Sequence, residues 1–266
     1  MPTRALRTAA SGMYAQELNI EVISNNIANI NTTGFKKNQA EFQDLMYQQV
    51  NVNPVNSAVQ GVAQNSSTTI QVGNGVQPTA DEKIFTQGDV TQTNNQLDLA
   101  IQGDGFFQVV KPDGTYAYSR DGSFQVNSEG KIVTSSGYAL DPPITLDQNS
   151  LTVSIGKDGT VTAQQVGGSS KVLGNIELAR FMNPGGLKSL GDNLYAQTDA
   201  SGTPIIGTPS KDGFGSVSQG YLESSNVDIV QEMIAMIAAQ RAYEINSKTV
   251  QTVQDMMTMA NNLKQN

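Results

Sequence analysis

From Leu6 onward, apolar residues return every seven positions. Leu6, Met13, Ile20 and Ile27 hold one place in the repeat, and Ala9, Gln16, Ile23 and Ile30 follow three residues later. This spacing predicts one long helix with a coiled-coil seam of nearly four heptads, interrupted only by the polar Gln16. Gly12 sits inside that helix at a cost of roughly 1 kcal/mol relative to alanine, which points to a neighbouring helix that comes close. At the other end, over about 226–264, a seam runs through Met236, Tyr243, Val250 and Met257, with Ala239, Asn246, Val253 and Ala260 three residues on. A second apolar stripe follows another face through Val230, Ile234, Ile237, Ile245, Met256, Met259 and Leu263. A surface helix of a monomer needs one buried face, so two stripes predict contact on two sides.

The middle of the chain has no helical period. Residues 46–80, rich in Asn, Gln, Val, Ser and Thr, read as an extended arm or protruding hairpin. From 81 to 222, turn signals recur: PDG (112–114), RDG (120–122), SEG (128–130), SSG (135–137), KDG (157–159) and ASG (200–202). Short β-prone runs such as FFQVV, SFQV, KIVT and LTVSI separate them, which predicts an all-β region joined by tight hairpins. The expected fold class is therefore α+β: long N- and C-terminal coiled-coil-forming helices plus a central all-β domain. Its expected divisions are 1–45 (helix and turn), 46–80 (arm), 81–222 (all-β) and 223–266 (helix).

The first helix must end within IANINTTGFK, residues 27–36. Asn29 and Asn31 can hydrogen-bond its last carbonyls or tolerate a left-handed turn. Gly34 supplies a positive φ at little steric cost, and Phe35 can pack back as an apolar lock. Such a terminator is more than an ordinary helix end requires, and it reads as a corner where the chain turns from the helix into the arm.

Composition narrows the function. The chain has no Cys, His or Trp, and only 15% of its residues are charged. Disulfides and thiolate metal sites are thereby excluded, and the commonest general base and metal ligand is missing. Net charge is −8. Residues 1–37 hold four basic and two acidic side chains and 223–266 three basic and five acidic, so the middle carries the full −8. An acidic middle argues against nucleic acid, which calls for clustered Lys and Arg.

GNG (73–75) lacks the third glycine of a dinucleotide fingerprint, and GDGFF (103–107) reads as a tight turn feeding a strand. The turn residues Asp113, Asp121 and Asp158 lack calcium-loop spacing, and a serine triad is unavailable without histidine. No catalytic, cofactor-binding or metal-binding residue emerges, and no cofactor is expected. The longest apolar run, MIAMIAA (233–239), falls far short of the ~20 residues that span a bilayer. No Sec-type signal peptide is recognisable, so export without a cleaved signal is the expectation if the chain leaves the cell. Terminal helices that want partners, a β middle and no active site describe a polymer building block whose head-to-tail contacts generate a helical filament.

SGMYAQELNIEVISNNIANINTTGFK (11–36) closely resembles the N-terminal motif of the bacterial flagellar rod and hook proteins, here centred on Ala28, Asn29, Thr32, Gly34 and Phe35. MIAAQRAYEINSKTVQTVQDMM (236–257) is similar to that family's C-terminal helix. LDLAIQGDGFFQVV (97–110) and YSRDGSFQVNSEGKIVTSSGYAL (118–140) resemble the β domain of its rod branch. The resemblance covers essentially the whole chain, and its wording favours the distal rod over proximal-rod and hook relatives. It implies a non-enzymatic subunit of the straight drive shaft that carries motor torque to the hook. The terminal helices would pack as an inner tube through Leu6, Met13, Ile20, Ile27, Ile234, Met236, Ile237, Tyr243, Ile245, Val250 and Met257. Residues 46–64 would belong to a rod-type insertion that stiffens the shaft. Implied partners are further copies of the chain, proximal rod proteins, the hook protein and, where an outer membrane exists, L- and P-ring proteins. The implied location is the basal body between periplasm and outer membrane, reached through flagellar type III export. A proximal-rod or hook subunit is the nearest alternative, and an exported β-rich adhesin is the alternative from another class.

Overall fold

Two long helices carry the seven-residue patterns. The computed structural model describes residues 2–52, 68–146, 150–165 and 169–265. Helix α1 spans Pro2–Ala28 and helix α2 spans Ile229–Gln265. All the strands described lie between them in sequence, so the α+β class holds. Proline suits the first position of α1, because its missing N–H is one that a helix start leaves unpaired.

The chain divides into two units. One consists of Met1–Ser24, Gln39–Asp81 and Val230–Asn266, the other of Asn25–Asn38 and Glu82–Ile229. Residues 25–38, inside the piece expected over 1–45, group with the β-rich segment.

In the first unit, α1 and α2 approach closely at Gly12, where a Cβ would lie 2.9 Å from the Asn246 amide nitrogen. Ala9, Ala15 and Ile23 of α1 are buried, as are Ala239 and Val253 of α2. Small and β-branched residues at these positions let helix surfaces draw together. The arm is built from two-stranded ribbons, Asn38–Asp44 with Val76–Lys83 and Gln48–Val52 with Thr68–Val72. The remainder of the expected arm, 53–67, lies outside the described residues.

The second unit holds a nine-stranded sheet. Its main path runs Lys188–Gly191, Leu194–Ala196, Tyr116–Ser119, Phe106–Val110, Ala139–Leu140, Ile132–Thr134, Phe124–Val126. Leu178–Arg180 also pairs with Phe106–Val110, and Ile205–Gly207 pairs with Leu178–Arg180. A three-stranded sheet, Ser150–Ile155, Thr160–Gln165 and Ser170–Asn175, and the ribbon Leu99–Gln102 with Ser216–Gln219 complete the main core. That core contains Leu99, Ile101, Phe107, Phe124, Ile132, Val161, Ile176 and Leu178. Phe107 and Phe124 meet edge to face at 5.1 Å. A second cluster gathers Phe106, Tyr118, Phe181, Leu187 and Tyr195. Alternation places these side chains: in Thr160–Gln165, Val161 and Ala163 are buried while their neighbours are not.

PDG, SEG, SSG and KDG each close a hairpin between sequential strands, as their sequences predict. RDG (120–122) and ASG (200–202) do not; the strands on either side of ASG, Leu194–Ala196 and Ile205–Gly207, pair with other strands. Tyr116–Ser119 pairs with Phe106–Val110 and Leu194–Ala196, whereas Phe124–Val126 pairs with Ile132–Thr134. The RDG segment is a crossing between strands, and Gly122 is required there because a Cβ would sit 1.6 Å from the Leu99 carbonyl oxygen.

Phe124→Ala should lower the stability of the β-rich unit by about 3–5 kcal/mol, the usual cost of deleting a buried ring. Tyr116→Ala, at a side chain 54% exposed, should change it by less than about 0.5 kcal/mol. Urea unfolding of the full chain followed by tyrosine near-UV signal measures both.

Candidate functional site

Helix α1 ends in a succession of tight turns. The Asn29 amide donates to the carbonyls of Asn25 and Asn26, both at 3.2 Å, and its side chain donates to Asn25 O at 2.9 Å. Thr32 N then donates to Asn29 O, Thr32 Oγ1 donates to Asn29 Oδ1, and Phe35 N donates to Thr32 O. Asn29 therefore caps the helix as its sequence suggests. Asn31 does not: it is exposed and makes no side-chain hydrogen bond among the described residues. Neither asparagine takes the left-handed conformation, which falls to Gly34 at φ +65°. Ala28, the last helical residue, is exposed.

Gly34 lies against the RDG crossing. A Cβ there would come within 2.6 Å of Asp121 N and 2.7 Å of Arg120 C, so side-chain bulk is excluded by backbone. Around it the corner is tied down by hydrogen bonds. Gly34 N donates to Glu223 O at 2.8 Å, and Thr33 Oγ1 donates to Asp121 Oδ1 at 2.9 Å. Asn193 Nδ2 donates to Thr33 O at 3.1 Å. Phe35 is buried, with the Lys83 ammonium 5.5 Å from its ring centroid.

Lys36, the next residue, was not singled out by its sequence, yet its side chain is 0% exposed. Its ammonium lies 2.5 Å from Glu223 Oε1 and donates to Thr86 O at 2.6 Å. Glu223 Oε1 also accepts from Gly88 N at 3.0 Å. Arg120 approaches the same carboxylate, Nη1 to Oε2 at 3.8 Å, while its Nη2 donates to Gly103 O at 2.8 Å. One carboxylate thus faces two cations in a dry interior. Burial pushes the Lys36 ammonium below the usual lysine range, opposed by the neighbouring Glu223 carboxylate. The Arg120 guanidinium is lowered for the same reason. A buried pair of this kind gains little net stability, but removing one partner strands a charge without solvent.

Two amides complete the joint by acting as strand partners. Asn26 Oδ1 accepts from Asn38 N and its Nδ2 donates to Asn38 O, both at 2.9 Å. Asn226 Oδ1 accepts from Lys37 N, and Nδ2 donates to Ile84 O, both at 2.8 Å. These two amides hold backbone at both ends, while in the charge cluster Arg120 Nε and Nη1 and Glu223 Oε2 are buried without a hydrogen bond among the described residues. The arrangement is a mechanical joint. Among the described residues, no group of three or more carboxylates is placed to hold a metal ion.

The helical positions separate by face. Leu6, Met13, Ile20 and Ile27 of α1 are half-buried, as are Met236, Val250 and Met257 of α2. Tyr243, in the same seam, is more open at 40%. The second stripe of α2 lies on the surface: Ile234 is 63% exposed, Ile237 56% and Ile245 65%, and Met256, Met259 and Leu263 are also exposed. No described helix is long and apolar enough to cross a membrane.

Comparison with known sequences places this geometry among relatives. The family described as "Flagella basal body rod protein" matches residues 6–36. "Flagellar hook protein FlgE/F/G D1 domain" matches 100–163, and "Flagellar basal body rod FlgEFG protein C-terminal" matches 218–263. The chain is similar to the flagellar basal-body rod protein FlgG of Borreliella burgdorferi, 48% identical over 98% of both chains. It is also similar to FlgG of Caulobacter vibrioides, 47% identical over 98% of this chain and 99% of that one. FlgG of Bacillus subtilis is 35% identical over 98% and 99%. The first and third family matches contain the corner residues 28–36 and the partner Glu223, respectively.

Two expectations follow for the joint. Gly34→Val should prevent docking of the corner and block assembly. Glu223→Leu should cost about 3–5 kcal/mol by leaving Lys36 and Arg120 buried without their carboxylate, and Lys36→Met should cost less, because Arg120 still faces Glu223. The double variant should cost clearly less than the sum, because the charge imbalance shrinks. Equilibrium unfolding of all four members of the cycle measures the coupling.

Proposed function

The chain belongs to the flagellar basal-body rod protein family as a structural, non-enzymatic subunit, and we propose that it builds the distal rod by helical polymerisation through its terminal helices. The exposed stripe of α2 carries the proposal. Ile234, Ile237, Ile245, Met259 and Leu263 put apolar surface into water along one face of a 37-residue helix. Burying such surface contributes roughly 25 cal/mol per Å², and in a filament each subunit can bury it against the next. Positions Leu6, Met13, Ile20, Ile27, Met236, Tyr243, Val250 and Met257 serve helix pairing, while the second stripe serves packing between subunits.

In this reading residues 46–80 form the rod-type arm, and the corner at 28–36 is where an inner-tube helix turns outward. The neighbours along the axis are proximal rod proteins at the base and the hook protein at the far end. L- and P-rings surround the shaft where an outer membrane is present. Export takes the flagellar type III route without a cleaved signal.

Electron microscopy of the concentrated, purified chain tests the proposal. Straight tubes are the expected product. Curved tubes would reassign the chain to the hook, and persistent monomers would count against polymerisation through these helices. Ile237→Asp with Met259→Asp should leave the β-rich unit folded by near-UV signal and abolish the tubes.

A further inference from the structure

A seam of repeating apolar residues does not by itself fix its alignment. Sliding α1 by seven residues past α2, about 10 Å, brings one apolar set against another. Something other than the heptads must select one alignment, and the first unit contains a place where this happens.

At residues 8–12 of α1, two elements come close. On one side Gly12 faces Asn246 of α2, where a Cβ would lie 2.9 Å from the amide nitrogen and 3.3 Å from Cγ, so the amide would have to turn away. On the other side lies the neck of the arm, Asn74–Val76. Val76 N donates to Ser11 Oγ at 3.3 Å, and Ser11 Oγ donates to Thr8 O at 2.9 Å. A Cβ on Gly75 would lie 2.2 Å from Ser11 Oγ and 3.5 Å from Thr8 Cα, so only glycine passes there, at φ +113°. The neck is itself closed by Leu45 N donating to Gly75 O at 2.9 Å and Asn74 Nδ2 donating to Met46 O at 2.7 Å.

We propose that Ser11 and Gly12, with Asn246 and Gly75, form a register key that fixes α2 and the arm at one level of α1. A seven-residue slip would set Asn246 against Ala5 or Asn19, both of which carry a Cβ, and set Gly12 against Ala239 or Val253. A polar residue in an otherwise apolar seam selects alignment in this way: after a slip the Asn246 amide meets a Cβ where Gly12 offers none. Ser11 extends the key to the arm: its hydroxyl accepts the Val76 backbone amide. The four residues are positioning residues within one chain, and the key does not rest on the polymer reading.

The sign of one substitution separates this role from ordinary helix propensity. Alanine is the better helix former, so Gly12→Ala should strengthen an unkeyed helix. With the key, Gly12→Ala should lower the thermal midpoint of helical signal in the full chain, and Gly12→Ala with Asn246→Gly should recover it. Gly12→Leu should eliminate rods in cells that carry only that variant, and Ser11→Leu should do the same by displacing the neck. Tyrosine near-UV signal checks that the β-rich unit stays folded. The proposal is overturned if Gly12→Ala raises the midpoint, if the double variant is no better than Gly12→Ala alone, or if Gly12→Leu supports normal rods. Failure of the wild-type chain to form tubes would sink the polymer reading and leave the melting comparison to decide the key.

Discussion

The β-rich unit is assembled from two stretches of chain that are far apart in sequence, and a buried ion pair holds them together. Lys36 comes from the short segment Asn25–Asn38, and Glu223 and Arg120 come from Glu82–Ile229. Neither charge has water to fall back on, so the lysine is stable inside only while the carboxylate is opposite it. The cost of separating them makes the closure specific more than it makes it strong. Gly34 at the RDG crossing, Asn226 on Lys37 and Asn26 on Asn38 then fix the segment in one geometry. The last turn of α1 is thereby built into the β-rich unit rather than fraying at a helix end.

Chain enters the unit through Asn25–Asn38 and leaves it just after Glu223, and the two are hydrogen-bonded to each other at Gly34 N and Glu223 O. The apolar surface follows a division of labour. One seam of α2 is half-buried within the chain, with Ala239 and Val253 fully so, and the other stripe stays exposed, available to another copy.

Much of this was legible in the sequence, for physical reasons that differ by element. Heptad spacing separates the half-buried seam from the exposed stripe of α2, because helical geometry converts spacing directly into direction. Gly-containing hairpins at PDG, SEG, SSG and KDG are local and depend on a few residues. RDG carries the same local chemistry but connects strands that pair elsewhere, and its glycine answers to Leu99, a distant neighbour. The terminating role of Asn29 and Gly34 could be read, whereas the solvent-facing Asn31 could not be told from Asn29 by type. Lys36 was hidden for a different reason. A lysine after a helix end reads as surface charge, and its partner Glu223 lies 187 residues away. The same distance concealed Asn226, whose amide substitutes for a strand neighbour.

Hydrogen exchange on the full chain, as monomer and as assembled tubes, tests the central claim most directly. The account predicts that the amides of Gly34, Lys37 and Asn38 exchange only with global opening of the β-rich unit in both states. It also predicts that α2 gains protection along its length on assembly. Rapid exchange at those three corner amides, or equal protection of α2 in monomer and tubes, would contradict it.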